Sequence, residues 1–494
     1  APALTVCYKL ERHTSGVLAV AKTPDAAVRL NALVKAGGLR RQYVAIVKGS
    51  PKPAAKLHRA GRSSRSPAPA APRKSGTMDM PELTVIRQHD RFALVRFKHD
   101  GRGGRVLRAM MARRTPVHGD AEFDRHPQKK QAGRIWFHLE TAEFQHPFTN
   151  EAVRIKATVP PSFGMVAAGA DQLADRLETG LAARMPCLLD PNTNAYRLLD
   201  GRADGVSGLI AERLGDVIVL QTQRGKIQGG DERIQAAAAW YGETFGARAV
   251  YVKDIPRDRS HAAESALEAL HDETPMWGQP AEPEIEIREN GLTYLVRPYD
   301  GYAVGLFLDH RENRRRIRSL SKNKSVLNTF AYTCAFSISA AAGGATSTVS
   351  VDVSKRVLEW GKRNFAASGI ELTDHKFIYS DTFDYFKRAR RQGHLFDVIV
   401  LDPPTFARAK KPARVFEVGK DMSRLITEAL TVLAPNGLMM ISTNHQDLSS
   451  EWLRRQVTDA ARSRRPVFLP DTATPPDIAD PIRTAKTIFA RFQA

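Results

Sequence analysis

Cysteine is scarce in this chain. Three residues, Cys7, Cys187 and Cys334, are spread over 494 positions. That is too few and too dispersed for a disulfide framework or a structural zinc site, so a reducing compartment and a metal-free protein are expected. No apolar run approaches the roughly 20 residues a membrane helix requires, and no membrane partner is expected. The mean hydropathy of −0.35 is that of a globular chain exposed to water. No signal or transit peptide is visible, but the chain opens on Ala1 rather than Met, so this absence excludes no targeting. Acidic residues are scarce in one part only. Residues 1–164 hold 30 Lys and Arg against 12 Asp and Glu, whereas the remainder holds 44 against 41. A basic first third followed by a nearly neutral remainder points to a polyanionic partner held mainly by the first third. Nucleic acid is that partner, because phosphate contacts dominate non-specific affinity. An anionic membrane is disfavoured, since no basic amphipathic helix stands out.

At this length two to four domains are expected. Residues 51–78 are rich in Pro, Ala, Ser and Arg without apolar period, and read as a basic flexible insertion. Around them, RQYVAIVKG (41–49) and RFALVRFKH (91–99) read as β-strands. Residues 165–189 read as a helical connector. Residues 190–300 mix strands such as DVIVLQTQ (216–223) with a helix near 232–246, an α+β middle domain. From about 301 to 494 the pattern becomes regular alternation. Strands are expected at 325–332, 347–353, 375–381, 396–402, 438–443 and 485–492, with helices at 354–369 and 422–434. Such alternation makes a parallel sheet covered by helices.

In an open α/β sheet, ligands bind beyond the carboxyl ends of the strands. Asp352, Asp381 and Asp402 fall at three such ends. Asp352 is placed to accept from ribose hydroxyls of a nucleoside cofactor, and Asp381 to meet an adenine edge. Alone, this spacing also fits a nicotinamide enzyme, and any single Asp here could be a helix N-cap. The segment Asp402-Pro403-Pro404-Thr405-Phe406 separates the readings. It resembles the DPP-aromatic signature of methyltransferases that act on base nitrogens. A carboxylate and proline-fixed carbonyls can hold a flipped-out base by its polar edge while Phe406 stacks on its face. Orientation toward a sulfonium methyl then supplies most of the catalysis.

TNAYRLLDGRADGVSGLIAERLGD (193–216), GLFLDHRENR (305–314), VLNTFAYTCAFSISAAAGGA (326–345) and FDVIVLDPPTF (396–406) together resemble bacterial large-subunit rRNA methyltransferases over about 190–492. The resemblance implies a Rossmann-like class I domain using S-adenosylmethionine. It assigns cofactor contacts to Thr333, Cys334, Ala335, Phe336, Asp352 and Asp381, with Asp309 and Arg311 of the GLFLDHRENR segment. The 5-methylcytosine members need a thiolate near the end of the fifth strand. Here that strand runs into Ser442-Thr443-Asn444-His445, with no cysteine after Cys334, so carbon methylation by that route is not expected; DPPTF followed by FEVGKD (416–421) and this turn more nearly resembles the guanine-N7 branch. Where the family's first-strand turn has glycine, this chain has Cys334, at a position expected to approach the methionine portion of the cofactor.

Residues 8–163 resemble the large pseudouridine synthase family. Its HRLDRDTSG motif stands as Tyr8-Lys9-Leu10-Glu11-Arg12-His13-Thr14-Ser15-Gly16, and its tyrosine motif as RQYVAIVKG with Tyr43. WFHLETAEFQHPF (136–148) and VPPSF (159–163) match its closing strands, while GRTHQIRVH is reduced to GRGGRVLRA (101–109). The family's catalytic aspartate is here Glu11, one methylene longer, and a displacement of about 1 Å can cost ~10²-fold in rate. An inactive, RNA-binding domain over 1–164 is expected. The fold class is then α/β and α+β multidomain: a mixed-sheet pseudouridine-synthase-like domain, a small α+β domain and a Rossmann-like methyltransferase domain. Three functions remain open: an rRNA base methyltransferase acting on large-subunit rRNA or ribosomal assembly intermediates, a silent assembly factor, and a bifunctional enzyme. Decayed domains on an rRNA-bound protein would suit the mitochondrial matrix, with the cytoplasm as alternative.

Overall fold

The computed structural model describes residues 5–8, 10–11, 13–51, 83–99, 103–112, 115–124, 134–168, 170–227, 229–255, 269–410, 413–461, 464–480 and 484–493. The basic insertion expected at 51–78 lies outside these residues except for Pro51, as do Lys9 and Arg12 of the first motif and Gly101 and Arg102 of GRGGRVLRA. Two compact units are present, 1–178 and 179–494. Their boundary falls inside the helix Asp171–Ala183, within the stretch read as a connector. The middle region and the C-terminal domain share the second unit.

In the first unit, a mixed sheet runs in the order Ser15–Gly16, Phe137–Gln145, Arg40–Lys48, Phe92–His99, Leu83–Gln88, and Ala152–Lys156 pairs with Phe137–Gln145. Alternation explains the central strand. Tyr43, Ala45 and Val47 pack into one cluster with Phe97 and Phe137, while Val44 and Ile46 pack into another with Trp136 and Phe163. A strand buried on both faces reads as a nearly continuous apolar run.

The second unit opens with a five-stranded sheet, ordered Trp277–Gly278, Ala249–Asp254, Val217–Thr222, Leu209–Leu214, Ala195–Asp200. Beyond it stand α1 (Arg311–Leu320), β1 (Ser325–Thr329), α2 (Ala335–Ala342), β2 (Ser347–Asp352), α3 (Lys355–Ala367), β3 (His375–Tyr379), α4 (Thr382–Arg391) and β4 (Phe396–Leu401). A hairpin, Phe406–Lys410 with Ala413–Glu417, leads to α5 (Val418–Leu430), β5 (Leu433–Thr443), α6 (Ser450–Ala460), β6 (Arg465–Phe468) and β7 (Lys486–Gln493). The strands order β3-β2-β1-β4-β5-β7-β6; the first five are parallel and β7 is antiparallel to both neighbours. The order reverses between β1 and β4, which opens a crevice at their carboxyl ends.

Two of the helices around that crevice, α3 and α4, start on side-chain caps, whereas α1 and α2 do not. Ser354 accepts from Val357 N (3.4 Å) to begin α3, and Asp381 accepts from Phe383 N (3.0 Å) and Asp384 N (3.2 Å) to begin α4. One expectation is displaced: the helix read at 422–434 spans Val418–Leu430, and β5 begins at Leu433. The run Thr431-Val432-Leu433-Ala434 suits either period, and pairing of Leu433 with Phe396 decides for strand.

Candidate functional site

A cavity of about 340 Å³ opens at the carboxyl ends of β1, β2 and β4 and the start of α4. Asp309, Thr333, Ala335, Phe336, Asp352, Asp381, Asp402, Pro403 and Pro404 all line it. Residues remote in sequence are therefore brought to one place, as a parallel sheet does for every strand end.

The β1–α2 loop forms one wall. Phe330, Tyr332 and Cys334 have φ of 52°, 47° and 65°, a left-handed backbone that is rare for bulky residues and strained by about 1–2 kcal/mol each. Side-chain bonds hold the strain. Asp352 accepts from Tyr332 N and from Ser354 N, both at 2.9 Å, so one carboxylate ties the β1 loop to the turn after β2. Thr333 Oγ1 donates to Gly305 O (2.6 Å), and Asn364 Nδ2 donates to Thr333 O (3.1 Å). Burial pushes Asp352 above the usual aspartate range, against the pull of the backbone N–H groups of Tyr332, Ser354 and Val353.

Two residues singled out for cofactor contact do not line the cavity. Cys334 is fully buried and turned toward α3; a Cβ on Gly361 would stand 2.4 Å from its Sγ. The left-handed backbone aims the thiol into the core, and a glycine on α3 makes room for it. Its pKa is pushed up to about 12 by burial. Arg311 is buried and engages Asp477, with Nη1 3.4 Å from Oδ2 and an ion pair through Nη2, and so anchors the segment before β7. Phe406 is half-exposed at the start of the hairpin and is also absent from the lining.

Asp402 carries the electrostatics of the opposite wall. His310 Nε2 lies 3.3 Å from its Oδ2. Burial would raise the Asp402 pKa, but the charge and hydrogen bond of His310, the Ser442 hydroxyl and Arg314 outweigh it and hold the carboxyl below its usual range. Burial likewise disfavours a charged His310, yet Asp402 and Asp309 raise its pKa above the ordinary histidine value against Arg314. Arg314 is committed to Glu289 through two bonds of 2.6 and 2.7 Å. Thr405 Oγ1 donates to Asn444 Oδ1 (2.8 Å), joining the loops after β4 and β5. His310, Asn444 and the aromatic trio Phe330, Phe383 and Phe416 line the cavity without having been singled out from sequence. His310 stands between Asp309 and Arg311, but its partner is 92 positions away and only the fold unites them.

In the first unit, Glu11 and Tyr43 line a separate pocket of about 580 Å³ with Tyr8, Ser15, Arg41 and Phe137. Arg108 Nε donates to Glu11 Oε2 at 2.8 Å, and the same buried guanidinium meets Asp120 at 2.7 Å and Glu122 at 3.2 Å. Tyr43 packs on Phe137 with centroids 4.8 Å apart, and burial raises its pKa to about 12.

A doubly wound sheet with a switch-point cavity, an acid after β2 and a DPP turn after β4 defines a class I methyltransferase fold. The chain belongs to the S-adenosylmethionine-dependent methyltransferase family, whose model matches residues 232–491. Residues 2–113 match the RNA pseudouridylate synthase model. The chain is similar to a ribosomal RNA large subunit methyltransferase of Deinococcus radiodurans, 33% identical over 58% of this chain and 70% of that one. It is also similar to the ribosomal RNA large subunit methyltransferase K/L of a Psychrobacter species, 46% identical over 32% of this chain and 20% of that one. Among solved structures, SMU.776, a methyltransferase complexed with SAH, aligns with a TM-score of 0.57 at 26% identity, covering 72% of this chain and 88% of that chain. A SAM-dependent methyltransferase from Streptococcus mutans aligns at 0.56 and 25% identity, over 72% and 88%.

The cavity fits the family's cofactor. Two carboxylates, Asp352 and Asp381, stand along an aromatic wall, and the left-handed loop presents backbone rather than the Cys334 side chain to the space.

Proposed function

We propose that the chain methylates a base nitrogen, guanine foremost, in large-subunit rRNA, and that its N-terminal unit holds the RNA without isomerising it. S-adenosylmethionine, when bound, supplies an electrophilic methyl group. Asp352 would hold the ribose and Asp381 the adenine side, with Phe383 beside it. Asp402, Pro403 and Pro404 would orient the base edge, and Phe406, half-exposed in the same segment, would stack on it. The observation that carries this reading is that Asp402-Pro403-Pro404 and Asp352 line one cavity at the switch point. The large-subunit rRNA named for the relatives supports the choice of substrate.

The silent-factor reading rested on a departure in each domain, Glu11 in the first and Cys334 in the second; of these, the Cys334 thiol lies outside the cavity. Calorimetry with S-adenosylmethionine, followed by methyl transfer to unmodified large-subunit rRNA transcripts, tests the proposal. Binding and transfer by wild type, with transfer lost in Asp402→Asn, is the expected result. A wild type that binds no cofactor would return the choice to a silent factor. In the N-terminal unit, Glu11 in place of aspartate argues for lost isomerase activity. Pseudouridine mapping of rRNA from Glu11→Ala cells should match wild type; loss of a site would show the domain active.

A further inference from the structure

The roles assigned above hold a base without telling one purine from the other. Guanine carries a carbonyl oxygen at position 6, an acceptor, where adenine carries an amino group, a donor. A side chain that reads this position must show the base one kind of group. A hydroxyl turns to show either, whereas a carboxamide engaged at its oxygen end shows a donor.

Asn444 meets that description. It is the first residue beyond β5, is exposed, and lines the cavity. Bonds on its C-terminal side fix the turn. Thr443 Oγ1 accepts from His445 N (3.2 Å), and His445 O accepts from Lys486 Nζ (3.2 Å) and Leu448 N (3.4 Å). The orientation of the amide comes from the loop after β4. Thr405 Oγ1 donates to Asn444 Oδ1 at 2.8 Å, and Thr405 O in turn accepts from Val418 N, the first residue of α5, at 3.1 Å. Thr405 directly follows Asp402-Pro403-Pro404, so the Asn444 amide is set relative to the turn that would hold the base. Its Oδ1 is engaged by the hydroxyl, and its Nδ2 has no partner among the described residues. An amide nitrogen offers two hydrogens and accepts none, so this part of the cavity wall carries a donor.

Resting on the methyl-transfer reading, we propose that Asn444 selects guanine over adenine, its Nδ2 donating to O6 of the base held by the DPP turn. The assignment concerns the identity of the base and holds for whichever guanine nitrogen takes the methyl group. With adenine, Nδ2 would meet the hydrogens of the amino group, and two donors would lose water without gaining a bond. Turning the amide over to show Oδ1 requires the Thr405 hydroxyl to turn with it and accept from Nδ2. That escape exists, and Asn444 is exposed, so the discrimination is about tenfold and not the larger ratio of a buried polar site. Thr405 is thereby a positioning residue: it touches no base and sets which end of the amide the base meets.

The test uses the full chain, S-adenosylmethionine carrying CD₃, and unmodified large-subunit rRNA transcripts. Nucleoside mass spectrometry of the wild-type product should place the label on guanine. That guanosine is then replaced, by ligation of a synthetic segment, with 2,6-diaminopurine riboside, which exchanges O6 for an amino group and drops the hydrogen of N1. Wild type should lose about tenfold in kcat/KM on the replaced RNA. Asn444→Asp, which puts an acceptor where the amide nitrogen stood with little change of shape, should reverse the preference. Asn444→Ala should treat the two RNAs within about threefold of each other, and Thr405→Val, which frees the amide to turn, should fall between it and wild type. A variant with a damaged fold or weakened cofactor binding slows on both RNAs together, so the ratio between them reports the base contact. Equal use of both RNAs by wild type, a wild-type preference kept in Asn444→Asp, or label on a base other than guanine would overturn the assignment while leaving methyl transfer intact. No label from wild type on any base would instead fault the methyl-transfer reading, and the assignment with it.

Discussion

At the scale of single residues, the departure at Cys334 is resolved by its neighbour. Left-handed backbone at Cys334 costs about 1–2 kcal/mol, and the side chain it turns inward occupies space that only a glycine at 361 leaves open. Gly361→Ala should destabilise the protein by about 1–3 kcal/mol, because the new Cβ meets a fully buried sulfur. In the Cys334→Gly background the same substitution should cost much less, a coupling measurable by a thermal double-mutant cycle. Cys334→Gly alone should leave cofactor affinity within twofold in calorimetry. Additive Gly361 and Cys334 effects, or an affinity gain in Cys334→Gly, would contradict the placement. This outcome was not legible in the sequence. A cysteine in place of glycine announces crowding, but its direction depends on φ, and the complementary Gly361 lies on another helix.

At the scale of elements, the strands around the site were legible because buried parallel strands are short apolar runs ending in polar residues. Asp352, Asp381 and Asp402 each mark such an end. The sequence also left Asp381 open as a helix cap, and it caps α4 while lining the cavity. Less legible was the work done by Asp352, whose carboxylate binds two backbone N–H groups across two loops. Asp352→Ala therefore removes both the ribose acceptor and the tie on a strained loop. Charged hydrogen bonds contribute about 1.5–3 kcal/mol, so S-adenosylmethionine affinity should fall at least about tenfold. Amide exchange of the peptide 326–336 should quicken in the cofactor-free variant, whereas Asp402→Asn should change neither. Because burial raises the Asp352 pKa, affinity should also decline as pH falls through a midpoint above the ordinary aspartate value. An Asp352→Ala protein with unaltered affinity and exchange would refute both roles. The pairing of His310 with Asp402 was invisible for a related reason: the two lie 92 positions apart and carry no local pattern.

At the scale of the whole molecule, charge and chemistry reside in different parts of the chain. The excess of basic over acidic residues lies almost wholly in 1–164, and the methyltransferase match in 232–491. RNA affinity should therefore follow counterion release, with log K falling linearly against log salt. Reversing basic residues of the first unit should flatten that slope without changing cofactor affinity. A slope unaltered by such changes would place the RNA contacts elsewhere. The most direct test of the central claim combines cofactor binding with transfer in three proteins. Wild type and Asp402→Asn should bind S-adenosylmethionine alike and Asp352→Ala weakly, with wild type alone delivering a methyl group to large-subunit rRNA. Equal transfer by wild type and Asp402→Asn, or equal binding by wild type and Asp352→Ala, would contradict it.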